Sequence, residues 1–141
     1  IAVNLTGAFL MCQAVIPVMK QAGSGVIINV ASQLGSVAAT GRAPYCAAKG
    51  GIIQLTKVLA LDHAADGIRV NSLSPGAVLT ERLVRLFGSP EAAVDTLAPK
   101  HPMGRLGETV EIARAACFLA SDDASFMTGS DMLVDGGYNA Q

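Results

Sequence analysis

Gly25-Val-Ile-Ile-Asn-Val-Ala-Ser32 decides the fold. The run Val26–Ala31 is short, apolar and rich in β-branched residues, with a glycine before it. A strand covered on both faces reads this way, and such strands belong to parallel sheets flanked by helices. A second stretch, Gly67-Ile-Arg-Val-Asn-Ser-Leu-Ser74, is also glycine-led and extended, and stops at the turn signal Pro75-Gly76. A third, Ser130-Asp-Met-Leu-Val-Asp135, is closed by Gly136-Gly137. Helical patterns fill the intervals. Val3, Leu5, Phe9, Leu10, Ala14, Val15 and Val18 share a face, with Pro17 placed to kink it. Tyr45–Leu61 and Pro90–Leu97 read as helices, and so does Glu108–Leu119, where Ile112, Ala115, Ala116 and Leu119 recur at helical spacing. Thr80 and Glu81 suit a helix start. Leu97–Gly107 is too rich in proline and glycine to be regular. Strands alternating with helices predict an α/β fold around a parallel sheet.

In open parallel sheets, ligands sit just beyond the carboxyl ends of the strands. Ser32 stands at such an end, thirteen residues before Tyr45. Taken alone, a serine there is a turn or cap residue. Tyr45 and Lys49 are four residues apart on one predicted helix and share a face. A phenol has a reference pKa of about 10, and a nearby cation favours its charged form. Proton transfer is most effective when the pKa lies near the working pH. The pair therefore suits a tyrosine that exchanges a proton with a substrate oxygen. The bare pair also reads as a half-buried tyrosine beside a solvated lysine. Pro75-Gly76 is a chain reversal on one reading. On the other, its small residue lets backbone approach a flat ligand.

In chain order, Asn4, Ser32, Tyr45-x-x-x-Lys49, Pro75-Gly76-x-Val78-x-Thr80 and Val134-Asp-Gly-Gly137 closely resemble the short-chain dehydrogenase/reductase family. The resemblance runs from Val3-Asn-Leu-Thr-Gly-Ala-Phe9 to Asp135-Gly-Gly-Tyr138. It implies an oxidoreductase that interconverts a secondary alcohol and a ketone with NAD or NADP. Tyr45 matches the catalytic acid/base, and Lys49 the residue that tunes it and binds the nicotinamide ribose. Ser32 matches the hydroxyl that polarises the carbonyl, and Asn4 the residue that holds a water in the proton relay. Pro75, Gly76, Val78 and Thr80, with Tyr45 and Lys49, match the cofactor contacts. The resemblance further implies a small-molecule alcohol or ketone substrate, a cytoplasmic location and a homotetramer or dimer. Subunit contacts would come from the helix after Tyr45 and the final strand. Related members include reductases of acyl-carrier-bound ketones and dehydrogenases of sugars and cyclic diols. The ending Asp-Gly-Gly-Tyr138 leans toward the dehydrogenases.

One part of the family pattern is missing. No strand, glycine-rich turn and helix of the pyrophosphate-binding type occurs in the chain. Residues 1–141 are therefore expected to form the C-terminal, catalytic and substrate-binding portion of one doubly wound, Rossmann-like domain, with the N-terminal cofactor half absent. Such a portion alone would expose the edge where its central strand should pair. A non-catalytic, oligomerising fragment is the alternative reading.

Composition narrows the rest. The chain has 141 residues, 51% of them hydrophobic and 15% charged, with a formal net charge of −1. Mean hydropathy is +0.45 and the isoelectric point about 6.1. There is no basic patch for nucleic acid. No run of about 18 apolar residues marks a membrane span, so the apolar excess is assigned to strands covered on both faces. Cys12, Cys46 and Cys117 are too scattered for a metal or disulfide framework and read as buried thiols. His63 and His101 lack ligand partners, so no metal is expected. His101 is placed as a packing residue or a pocket wall. Gln33–Arg42 and Leu79–Arg105, with Leu34, Val37, Leu83, Leu86 and Phe87, are expected to shape a pocket for an apolar or cyclic alcohol.

Overall fold

The second strand holds the molecule together. In a computed structural model describing residues 1–141, β2 (Ile68–Pro75) lies between β1 (Gly25–Val30) and β3 (Asp131–Val134), and both pairings are parallel. The register runs from Gly25↔Ile68 to Val30↔Leu73 on one side, and from Ser72↔Asp131 to Pro75↔Val134 on the other. Each strand lies within a residue of its predicted bounds. The helices are α1 (Gly7–Ala22), α2 (Ala43–His63), α3 (Glu81–Phe87), α4 (Pro90–Leu97) and α5 (Thr109–Ala120). A π-helical turn, Ala2–Thr6, leads into α1. The predicted α/β architecture is therefore the observed one.

The first half of β2 puts apolar residues on one face and polar ones on the other. Ile68 and Val70 join Ile27 of β1, Cys12 and Ile16 of α1 and Ala60 of α2 in one apolar cluster. Successive strand residues point to opposite faces, and the next ones are polar. The Arg69 guanidinium donates to the carbonyls of Leu119 and Ser121, both at 3.0 Å. Asn71 donates to Met127 O at 2.8 Å and accepts from Ser130 N at 3.0 Å. Further along the face of Ile68 and Val70, Ser72 and Ser74 both donate to Asp131 Oδ1, at 2.7 and 2.6 Å. Asn71, Ser72 and Ser74 are fully buried, yet each has a partner. A buried polar group is affordable only in that condition. These bonds tie β3 to the centre of the sheet.

Three expectations need correction. The apolar excess does not lie within a doubly covered sheet, because only 25 of the 141 residues are buried. Much of it faces outward on α1, where Phe9, Leu10, Met11 and Val18 are exposed, and on α2 at Val58 and Leu61. The continuous helix Ala2–Ala22, of 21 residues and mean hydropathy 1.6, does reach the length and apolarity of a membrane span. Small and amide residues broke the apolar run on paper but add little polarity over that length. Its inner face, at Cys12 and Ile16, packs on the sheet core. The cysteines also differ: Cys12 is buried, Cys46 half-buried and Cys117 exposed, since Cys117 sits on the outer side of α5. β1 lies at one edge of the three-stranded sheet, and Val30 at its end is 57% exposed.

The irregular stretch before α5 is fastened by charge. Arg105 grips Glu111 with two bonds of 2.7 and 2.8 Å, and Glu111 also accepts from Glu108 N at 2.8 Å. The Arg105 bonds, then the Glu108 amide, lower the Glu111 pKa to about 2 from an ordinary 4.5. Between those values the folded state binds fewer protons than the unfolded, so stability falls as pH falls. The expected result concerns Arg105→Gln. Its melting temperature lies below the wild type's above pH about 4.5, and the gap closes toward pH about 2. A gap that persists undiminished at the acid end contradicts this assignment.

Candidate functional site

Ser32 begins the site. It lies just past β1, buried, with an extended backbone (φ −172°, ψ 153°). Its Oγ accepts from Leu34 N at 3.2 Å and so caps the short turn Gln33–Gly35. An oxygen occupied as an acceptor still has its own proton to donate. Gly35 then brings this turn onto α2. A Cβ at Gly35 would lie 2.7 Å from Ile53 Cδ1 and 3.0 Å from the Lys49 carbonyl, so only glycine permits this approach.

Helix α2 supplies the next two groups. Pro44 occupies its first turn, where a missing N–H costs nothing. Tyr45 follows, half-buried, and Lys49 comes one turn later. Lys49 is 9% exposed. Its Nζ donates to Val30 O at 2.8 Å and lies 5.8 Å from the centre of the Tyr45 ring. That distance is within the reach of a cation–π contact. Burial, and after it the Arg82 guanidinium, push the Lys49 ammonium below its ordinary value. Tyr45 and Lys49 thus share a face as the spacing requires, and the carbonyl of Val30 links Lys49 to the end of the strand that Ser32 follows.

Asn4 is exposed and sits in the π-helical turn. The turn is held to α2 by Leu5, whose Cδ2 would lie 2.8 Å from a Cβ at Gly51. A π-turn at the head of a helix often accompanies a functional position.

Pro75 ends β2, and the Gly76 N–H extends its ladder to Val134 O at 2.9 Å. Gly76 meets the serine turn directly, since a Cβ there would stand 2.8 Å from Gln33 Oε1. Beyond this point the chain turns away. Val78 pairs with Gly107, and Leu79 N donates to Gly107 O at 3.0 Å. Thr80 caps α3 by accepting from Leu83 N at 3.3 Å, which leaves its hydroxyl proton free. Contacts therefore run from Tyr45 to Lys49, from Lys49 to Val30 and the serine turn, and from that turn to Gly76, while Val78 and Thr80 belong to the adjoining loop.

Two residues of this region have surroundings that the sequence did not specify. His101, 3% exposed, is a brace: Nδ1 bonds Leu97 O at 2.9 Å, and Nε2 accepts from Ala77 N at 3.3 Å. A carbonyl only accepts, so this pairing puts the proton on Nδ1. The ring also packs on Tyr138, with centres 5.2 Å apart. Gln33 is 7% exposed, and its Oε1 has no partner. Its place beside Ser32, at the head of the stretch Gln33–Arg42 expected to shape the pocket, was the signal the sequence offered. Close by, burial opposes the Asp135 charge, but donors from Asn139 and Gly137 hold its pKa below the ordinary value. A cavity of about 90 Å³ lies between Gly76, Ala77, His101 and Glu111, and none of Ser32, Tyr45 and Lys49 lines it.

Comparison with known proteins adds the following. The family model described as enoyl-(acyl carrier protein) reductase matches residues 1–139. A D-threitol dehydrogenase from Mycolicibacterium smegmatis is 46% identical over 138 residues, covering 98% of this chain and 52% of that protein. A cyclopentanol dehydrogenase from Comamonas testosteroni is 42% identical over 138 residues, covering 98% of this chain and 55% of the other. A crystal structure described as a short-chain dehydrogenase/reductase from Burkholderia xenovorans superposes with a TM-score of 0.91 at 42% identity, over 98% of this chain and 54% of that one. The structure of ElxO with NADP bound gives 0.92 at 33% identity, over 98% and 56%. The chain spans about half the length of the curated relatives it matches.

Proposed function

The chain belongs to the short-chain dehydrogenase/reductase family, and from that premise we propose that the protein oxidises a secondary alcohol, or reduces the matching ketone, with NAD or NADP. The observation behind this reading is the buried Lys49 ammonium, fixed to Val30 O and set against the Tyr45 ring. Names of relatives such as D-threitol dehydrogenase and cyclopentanol dehydrogenase support the reaction class.

The residues fit a nicotinamide dinucleotide by their spare donors. Lys49 has three N–H groups and uses one on Val30, and Thr80 keeps its hydroxyl proton. Lys49, Pro75, Gly76, Val78 and Thr80 would hold the nicotinamide end, together with Tyr45. When bound, the cofactor supplies the hydride chemistry, and the protein's share is position and electrostatics. Tyr45 Oη gives or takes the proton of the reacting oxygen. Ser32 donates its free proton to that same oxygen and orients it. Lys49 places positive charge beside the phenol, and Asn4 passes protons to Lys49 through a water. The protein acts as a cytoplasmic homo-oligomer, with the exposed apolar residues of α1 and α2 available for subunit contacts.

The test is direct. The complete protein, given NAD or NADP and a panel of secondary alcohols, is expected to generate reduced nicotinamide, read by its absorbance. No turnover with either cofactor on any alcohol, and none with the matching ketones in reverse, removes the reading.

A further inference from the structure

His101 is buried and takes no part in the proton path through Tyr45 and Lys49. It stands where three segments meet. At the end of α4, its Nδ1 donates to Leu97 O at 2.9 Å. One residue past Gly76, its Nε2 accepts from Ala77 N at 3.3 Å. The third segment is the turn after β3. A Cβ at Gly136 would lie 3.5 Å from His101 Cβ, and the Tyr138 ring centre is 5.2 Å from that of the imidazole. The bond to Ala77 holds a piece of chain that the sheet does not. The ladder between β2 and β3 stops with Gly76 N on Val134 O at 2.9 Å. Ala77 N is the next amide along the chain, and it bonds the imidazole instead of a strand. Ala77 O accepts from Gly107 N at 2.9 Å. The head of the loop after β2 is thus moored by backbone at Gly107 and by a side chain at His101.

Packing alone does not fix this loop. The cavity of about 90 Å³ is lined by Gly76, Ala77 and His101, so a loop that loses the imidazole has room to shift. We propose that His101 is a positioning residue for the cofactor: its neutral imidazole pins the Ala77 amide and so presets the loop from Pro75 to Thr80 in the form that takes the nicotinamide end. This rests on the oxidoreductase reading above, in which Pro75, Gly76, Val78 and Thr80 meet that end. The action is indirect and passes through the loop. A segment already held loses less freedom on binding, and the saving appears as affinity. Without the acceptor the loop samples other positions, and binding has to draw it back from them.

Asparagine and glutamine separate the two nitrogens. In His101→Asn the amide reaches Leu97 O, as Nδ1 does, and nothing reaches Ala77 N. In His101→Gln the longer side chain brings an oxygen to the place of Nε2, where it accepts from Ala77 N. The measurement is the Kd of NADH and of NADPH for the complete protein, followed by nicotinamide fluorescence, beside the melting temperature without cofactor. His101→Asn is expected to weaken the better-bound cofactor about 3- to 10-fold, the worth of one hydrogen bond, and His101→Gln less than about twofold. The two variants are expected to melt close together, since each keeps one of the two bonds. Equal affinities in the two variants, or the weaker one in His101→Gln, overturn the proposal and leave the histidine a packing residue. Should His101→Asn fail to fold, amide hydrogen exchange of the wild type decides. Protection of the Ala77 N–H in the free protein upholds the pin, and exchange there at the rate of an open loop overturns it. A wild type that binds neither cofactor removes the oxidoreductase reading and this proposal together. Binding that is indifferent to position 101 removes this proposal alone.

Discussion

Tyr45→Phe in the complete protein is expected to lower turnover by about 10²- to 10⁴-fold, the range lost when a positioned proton-transfer group is removed. The substitution deletes one oxygen and keeps the ring, so the contact with the Lys49 ammonium at 5.8 Å survives. The first turn of α2 keeps Pro44 as well, and the fold should be unchanged. Cofactor affinity, followed by titration of nicotinamide fluorescence, is expected to stay near the wild-type value. Lys49→Ala provides the contrast. It removes a donor from Val30 O and a cation from the site, so turnover and cofactor affinity should fall together. A phenylalanine variant with undiminished turnover would take Tyr45 out of the proton path, whatever its cofactor affinity.

The elements of this fold were legible because each has a strong local period. Pro90–Leu97 was read to the residue, with Ser89 capping it by accepting from Ala92 N. The Tyr45–Lys49 spacing gave their shared face, since 3.6 residues per turn leaves little freedom. What escaped depends on partners distant in sequence. Nothing local marks Asn71 and Ser74 as fully buried, because their bonds reach residues 127–131. The burial of His101 follows from Leu97 O and Ala77 N closing on its two nitrogens, a loop geometry that periodicity does not encode. The apolar excess was assigned to doubly covered strands, because a hydropathy pattern does not tell an inner face of α1 from an outer one. The bare amide of Gln33 is visible only once the neighbours that fail to satisfy it are in place.

Gly76→Ala is expected to be the most damaging small change at the site. Its φ is not positive, so alanine meets no backbone penalty there. The obstacle is space. The added carbon would lie 2.8 Å from Asp135 Cα, 3.2 Å from Asp135 C and 2.8 Å from Gln33 Oε1. Backbone at Asp135 cannot yield cheaply, because its carboxylate is held by Gly137 N at 3.0 Å, Asn139 N at 2.9 Å and Asn139 Nδ2 at 2.8 Å. Crowding of this kind costs about 1–3 kcal/mol, and relief has to come from parting β2 from β3 where Gly76 N meets Val134 O. That movement carries Pro75, Gly76 and the Gln33 amide off their positions, so turnover should fall along with a melting temperature lowered by several degrees. Gly107→Ala is the matched control in the same region. Its nearest neighbour, Val78 Cγ2, would be an ordinary 3.5 Å away, and its φ is likewise not positive. Differential scanning should therefore separate the two variants, with Gly107→Ala close to wild type. If both melt together, the close approach of β3 to Gly76 does not constrain the site, and the account of how Gln33 and Pro75 are held in place goes with it.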